Sequence, residues 1–110
     1  MKAVIFARVS TQEQEQDEHS IETQLKNNRE YCKTNGLTIV KEFEVVESSK
    51  TSNRPKFYEM ITFIEKQNEK IHIITQASDR WHRDYEAFAL IDSLKDAGKI
   101  IVHFTRNNEI

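Results

Sequence analysis

Two glycines and one proline among 110 residues leave little material for long flexible linkers. A single cysteine, Cys32, excludes an internal disulfide and suits a reducing compartment. Its surroundings read as helical, so a buried packing role is expected for it rather than a reactive thiol. No apolar run approaches the roughly 18 residues of a membrane span, and the N-terminus lacks a signal-peptide layout. The chain therefore reads as cytoplasmic, with no membrane role. Positive charge is not in excess either: 16 Lys and Arg stand against 18 Asp and Glu, a net charge of −2. A piece so balanced does not grip nucleic acid by bulk electrostatics, so any phosphate contact must come from locally grouped arginines.

What is present is the length and apolar content of one domain, residues 1–110, with a single core system. The apolar runs Ala3–Ala7, Leu37–Phe43, Ile71–Thr75 and Ile100–Phe104 read as strands. The first and last are nearly continuous in apolar residues, as strands buried on both faces are. Helical patterns lie between them. Ser20 can cap a helix carrying Ile21, Leu25, Asn28, Tyr31 and Cys32, which Gly36 stops. Pro55 suits the first turn of a second helix, with Phe57, Met60, Ile61 and Ile64 at i, i+3, i+4, i+7. A third begins near Asp84, carries Tyr85, Phe88, Ala89, Ile91 and Leu94, and ends at Gly98. This alternation predicts an α/β fold: a three-layer domain with a central, mainly parallel β-sheet flanked by helices. Its functional edge should lie at the carboxyl ends of the strands, where the polar segments 8–19, 44–54 and 76–83 emerge.

Common occupants of such folds fail on residue chemistry. A phosphate-binding glycine loop needs glycines after the first strand, and segment 8–19 has none. A phosphate-accepting regulator needs clustered acids there, whereas the stretch FARVST supplies Arg8. A cysteine phosphatase needs Cys and Arg together at one strand end, but Cys32 falls in a helix. Ser10 lacks the G-x-S-x-G elbow of a serine hydrolase. No Cys and His spacing suggests zinc. For a metal-dependent nuclease, only Glu44, Glu47 and Asp79 are well placed, so no metal or other cofactor is expected.

Arginine is what remains. Arg8, Arg54, Arg80 and Arg83 all fall in the three segments expected on one edge. The guanidinium is a planar, permanently charged fork that matches phosphate oxygens. Several of them around the Ser10 hydroxyl would suit a phosphoryl-transfer transition state. In Asp79-Arg80-Trp81-His82-Arg83 the two arginines stand three apart and can share a helix face. Asp79 could fix a guanidinium, assist a proton transfer, or simply cap a helix. The plain alternative for any one arginine is an ordinary surface residue.

These residues resemble the serine recombinases, the resolvase–invertase group of site-specific DNA recombinases and related transposases. FARVST is similar to that family's Y-x-R-V-S-T opening, with Phe6 for the frequent tyrosine. Ser20-Ile21-Glu22-Thr23-Gln24 resembles its S-[LI]-x-x-Q segment, Arg54-Pro55 its R-P, and Asp79-Arg80-Trp81-His82-Arg83 its D-R-L-x-R. The likeness covers nearly the whole chain and rests on the order and spacing of these pieces together. It implies a catalytic domain that cuts and rejoins double-stranded DNA through a 5′-phosphoserine intermediate, without metal or ATP. Ser10 would be the nucleophile, and Arg8, Arg54, Arg80 and Arg83 would bind the phosphate. Gln24 would order the site and Asp79 would orient or assist the arginines.

Two departures stand out. Trp81 replaces a smaller apolar residue, and Glu44-Val45-Val46-Glu47-Ser48-Ser49-Lys50 is nearer an E-S-x-K variant than the commoner D-x-x-S-G. Family members continue into a long helix for dimer and tetramer contacts and a DNA-binding region. The resemblance thus implies a catalytic-domain fragment or a naturally truncated product, which by itself would be weak or inactive. A truncated interaction module with the same fold is the alternative from another class.

Overall fold

Strand and helix alternate as β1 (Lys2–Ser10), α1 (Ile21–Thr34), β2 (Thr38–Glu47), α2 (Arg54–Glu65), β3 (Ile71–Thr75), α3 (Tyr85–Asp96) and β4 (Ile100–Phe104). These come from a computed structural model that describes residues 1–10, 21–47, 54–76 and 85–105. The strands form one sheet in the order β2-β1-β3-β4, and every pairing is parallel. The three-layer α/β arrangement expected from the sequence is thus the one observed.

Alternation along the strands sorts the core into two clusters. Ala3, Ile5, Ala7 and Ile74 pack with Ile21, Leu25 and Cys32 of α1 on one face. Val4, Phe6, Phe43, Ile71, Ile73, Ile100 and Val102 pack with Phe57, Met60, Ile61 and Ile64 of α2 and Ile91 of α3 on the other. Phe6 meets Phe57 edge-on, with ring centroids 6.2 Å apart, a favoured aromatic geometry. The central strand β1 is therefore apolar on both sides, which accounts for its continuous apolar run.

Both helix-stopping glycines act through a left-handed backbone. Gly36 has φ 69° and Gly98 φ 72°. Leu37 N donates to Cys32 O at 2.8 Å, and Lys99 N to Leu94 O at 2.9 Å, closing a Schellman motif after α1 and after α3. A side chain at either glycine would be strained by the backbone conformation itself.

Two strands run further than their apolar runs suggested. β1 reaches Ser10 and β2 reaches Glu47, because the two pair with each other out to Ser10↔Glu47. The backbone ladder carries these polar residues where hydrophobicity no longer marks the strand. On the edge strand β2, Val40 is an extra residue opposite the Ala3–Val4 link, a bulge of the kind that interrupts a free sheet edge.

Cys32 is buried, and loss of hydration, aided by the charge of Glu42, pushes its thiol up to about 11. The packing role expected for it holds. At pH 8 the folded protein should react with a thiol reagent only as fast as it opens. Fast, stoichiometric modification without denaturant would contradict this burial.

Candidate functional site

At the carboxyl edge β1 loses a neighbour. It pairs with β3 only from Ala3 to Phe6, where Phe6 faces Thr75, but stays paired with β2 to Ser10. The chain leaves β1 toward α1 on one face of the sheet and leaves β3 toward α3 on the other. Connections that part in this way open a crevice between two strand ends, the usual ligand position in an open α/β sheet. Arg8 and Ser10 occupy the strand end on one side. The segment that contains Asp79, Arg80 and Arg83 departs from the other.

Gln24 is placed by α1. It sits one turn into the helix, on the stripe of Ile21, Leu25 and Asn28, and is fully buried. Its carboxamide meets the backbone of Arg8 twice. Arg8 N donates to Gln24 Oε1 at 3.3 Å, and Gln24 Nε2 donates to Arg8 O at 3.1 Å. An amide group binding both the N–H and the C=O of one residue imitates a strand partner. Gln24 thus takes up ladder positions on β1 just beyond the last pair with β3. A buried glutamine costs desolvation unless its groups are bonded, and here both are.

The other residues singled out from the sequence divide into two groups. Ser10 ends β1 and Arg54 opens α2, with Pro55 in that helix's first turn. Asp79, Arg80 and Arg83 lie outside the described residues, as do Ser20, Trp81, His82 and Asp84. Arg8 and Gln24 are therefore the pair brought into direct contact. Among the described residues, no cluster of three or more His, Cys, Asp or Glu could hold a metal ion. None of the described helices is long and apolar enough to cross a membrane. An open groove beside α1, bordered by Asn27, Tyr31, Gln76 and Thr105, contains none of the residues singled out for phosphate chemistry.

Other polar groups near this end were not singled out from the sequence. Thr75 Oγ1 donates to Phe6 O at 2.9 Å. Thr105 N donates to Thr75 O at 2.9 Å, and Thr105 Oγ1 donates to Asn28 Oδ1 at 2.6 Å. Asn28, polar like Gln24 on the buried stripe of α1, was the available signal. A buried chain of rings lies behind them: Tyr31 Oη is 2.7 Å from His103 Nδ1, and His72 Nδ1 is 2.8 Å from His103 Nε2. Neutral rings satisfy both contacts with the protons running in either direction.

Burial holds both histidines below the usual imidazole range. The positive amino terminus and Lys70 add to the effect on His72, and His72 adds to it on His103. A depressed folded-state value means that the unfolded chain binds more protons just below pH 6.5. The stability from the neutral pair is therefore full above about pH 6.5 and is lost as pH falls through the folded values. The urea midpoint should be lower at pH 5.5 than at pH 7.5, and the fall should shrink in the His72→Gln/His103→Gln variant. A wild-type midpoint that is flat or rises on acidification would contradict it. Glu42 is separate: its bond to Arg29 holds it below the ordinary carboxylate range, so it titrates at lower pH.

A buried glutamine braces the peptide of Arg8, two residues before the serine that ends β1. The sequence profile of the family described as "Resolvase, N terminal domain" matches residues 3–109. The chain belongs to this family. No curated protein is significantly similar to it in sequence. Among solved structures, the resolvase-type fold recurs in the N-terminal catalytic domain of TP901-1 integrase, with 21% identity and a TM-score of 0.80. That match covers 98% of this chain and 80% of the other. The C-terminal catalytic domain of ISC1926 TnpA, an IS607-like serine recombinase, gives 22% identity and a TM-score of 0.75 over 96% and 67% of the two chains. A resolvase family site-specific recombinase from Streptococcus pneumoniae gives 20% and 0.73 over 98% and 74%. The chain thus has the fold of a serine recombinase catalytic domain.

Proposed function

We propose that this resolvase-family domain cleaves and rejoins double-stranded DNA through a covalent bond between Ser10 and a 5′-phosphate. The observation that carries the reading is the bracing of Arg8 by Gln24 at the end of the central strand, two residues before Ser10. In this reaction the Ser10 oxygen attacks phosphorus and the bond from phosphorus to the 3′ oxygen breaks. The serine proton is exchanged for one on the departing 3′-hydroxyl. One phosphate ester replaces another, so the energy of the broken bond stays in the serine ester. A 3′-hydroxyl can then reverse the step without ATP.

Negative charge grows on the non-bridging oxygens as the serine attacks. Arg8, Arg54, Arg80 and Arg83 are the cations that would meet it, in the role that metal ions fill in other phosphoryl transfers. Asp79 would orient a guanidinium by a carboxylate pair. The reaction in this reading needs neither metal nor nucleotide. Self-association into dimers and tetramers on double-stranded DNA belongs to the same reading.

The test is a pool of nicked duplexes incubated with the full-length protein in chelator. A denaturation-resistant protein–DNA adduct should form, with the added phosphate mapping to Ser10 by mass spectrometry. Cleavage that requires a divalent ion and leaves no adduct would replace this reading with a metal-dependent nuclease. No cleavage and no adduct would favour a non-catalytic interaction module.

A further inference from the structure

In a parallel ladder the N–H and C=O of one residue point to the same neighbouring strand, and residues two apart point alike. Phe6 and Arg8 are such a pair on β1. Phe6 is the last β1 residue paired with β3, and the Arg8 peptide groups are taken by Gln24. At the seam between them the Phe6 carbonyl accepts the hydroxyl of Thr75, the last residue of β3. That hydroxyl therefore sits where β3 parts from β1.

Thr75 is fixed on its far side as well. Its carbonyl accepts from Thr105 N, and Thr105 Oγ1 bonds Asn28, one helical turn after Gln24 on α1. A single helix thus governs both lips of the crevice: β1 directly through Gln24, and β3 through Asn28, Thr105 and Thr75. Stability alone does not call for this arrangement. Thr75 follows Ile73 and Ile74 in a fully buried strand where valine has the same shape and needs no partner. Asn28 Nδ2 is buried with no acceptor among the described residues, a cost that an apolar residue at that position would not carry. Polar groups kept at a cost point to a geometric demand.

We propose that Thr75 is a positioning residue for the Ser10 reaction: its hydroxyl fixes the point at which β3 leaves β1, and so holds the end of β1 that carries Arg8 and Ser10. The inference rests on the recombinase reading above. Thr75 itself touches no reacting atom.

Thr75→Val keeps volume and strand preference and removes only the hydroxyl, whereas Thr75→Ser restores it. In the full-length protein, single-turnover adduct formation on the nicked duplexes should slow by about tenfold to a hundredfold in Thr75→Val. DNA affinity should change by less than about threefold, because binding and positioning separate in this way. Thr75→Ser should return the rate to within about threefold of wild type. A Thr75→Val rate within about twofold of wild type, or a Thr75→Ser rate as slow as Thr75→Val, overturns the proposal. If wild-type protein forms no adduct at all, the recombinase reading has failed, and the seam is judged without DNA. Amide exchange at Arg8 should then quicken by about tenfold in Thr75→Val but not in Thr75→Ser, and unchanged exchange overturns the positioning role too.

Discussion

Ser10→Ala should abolish the covalent protein–DNA adduct while leaving the fold and DNA affinity unchanged. The variant removes one oxygen, and with it the atom that would take the phosphate. Water could still attack a phosphate held by arginines, but removing a positioned nucleophile from a catalytic unit costs on the order of a thousandfold to a millionfold. Such hydrolysis would also yield a free 5′-phosphate, so strand breaks would accumulate without religation. The structural cost is small because Ser10 pairs with Glu47 through the backbone, which alanine keeps. An effect below about 1 kcal/mol in urea denaturation is expected. An alanine variant that forms the adduct undiminished would transfer the nucleophile's role to another residue. Equal loss of DNA affinity would make Ser10 a binding group instead.

The separation of these outcomes matters because serine and arginine at a strand end are ordinary. Arg8 and Ser10 carry weight only in combination with what else reaches that edge. From topology, the crevice between β1 and β3 is where the connections part to opposite faces, and the segment bearing Asp79, Arg80 and Arg83 begins on its other lip at Gln76. From packing, Gln24 supplies the backbone bonds that β3 no longer makes.

Much of the architecture was legible in the chain because buried parallel strands are written as apolar runs. β3 and β4 have the bounds of their apolar runs, Ile71–Thr75 and Ile100–Phe104. Gly36 and Gly98 marked helix ends through the positive φ that each adopts. The ends of β1 and β2 were not legible, since Arg8, Ser10, Glu44 and Glu47 interrupt the apolar runs and the ladder that carries them is made of backbone groups. The candidate site divides in the same manner. Residue chemistry singled out Ser10 and the arginines, and family likeness singled out Gln24. The part played by Gln24 came from geometry: a carboxamide seated against the Arg8 peptide is invisible in a helix pattern of S-I-E-T-Q. Thr75, Asn28 and Thr105 gave still less notice. Threonine at a strand end and asparagine on a helix are common, and only their convergence across 77 and 69 positions of chain links them to β1.

Gln24 should carry the largest effect on stability of any residue at this edge, and its variants should separate shape from hydrogen bonding. Gln24→Ala leaves Arg8 N and O without the partner that now binds both. Each unmet buried group costs about 1–3 kcal/mol, and because Arg8 is half-buried a loss toward the lower end, about 2–4 kcal/mol, is expected for the pair. Against a typical total of about 5–15 kcal/mol this is severe, and a domain of this size should melt roughly 10–20 °C lower. Adduct formation should slow by about tenfold to a hundredfold even where the protein is folded, because the end of β1 is no longer held. Gln24→Glu preserves length and volume yet fails in a telling way. Its carboxylate can accept from Arg8 N–H but cannot donate to Arg8 O, and it faces that carbonyl with like charge. Protonation restores the missing donor, so the folded protein raises this carboxyl above its ordinary value of about 4.3. Stability of the variant relative to wild type is therefore greatest below that value and falls as pH rises through the raised one. The histidine pair makes wild type gain stability as pH rises toward about 6.5, so the two trends oppose each other. A Gln24→Glu variant that stays as stable as wild type at pH 7.5 would mean that the donor to Arg8 O contributes nothing, and the clamp with it.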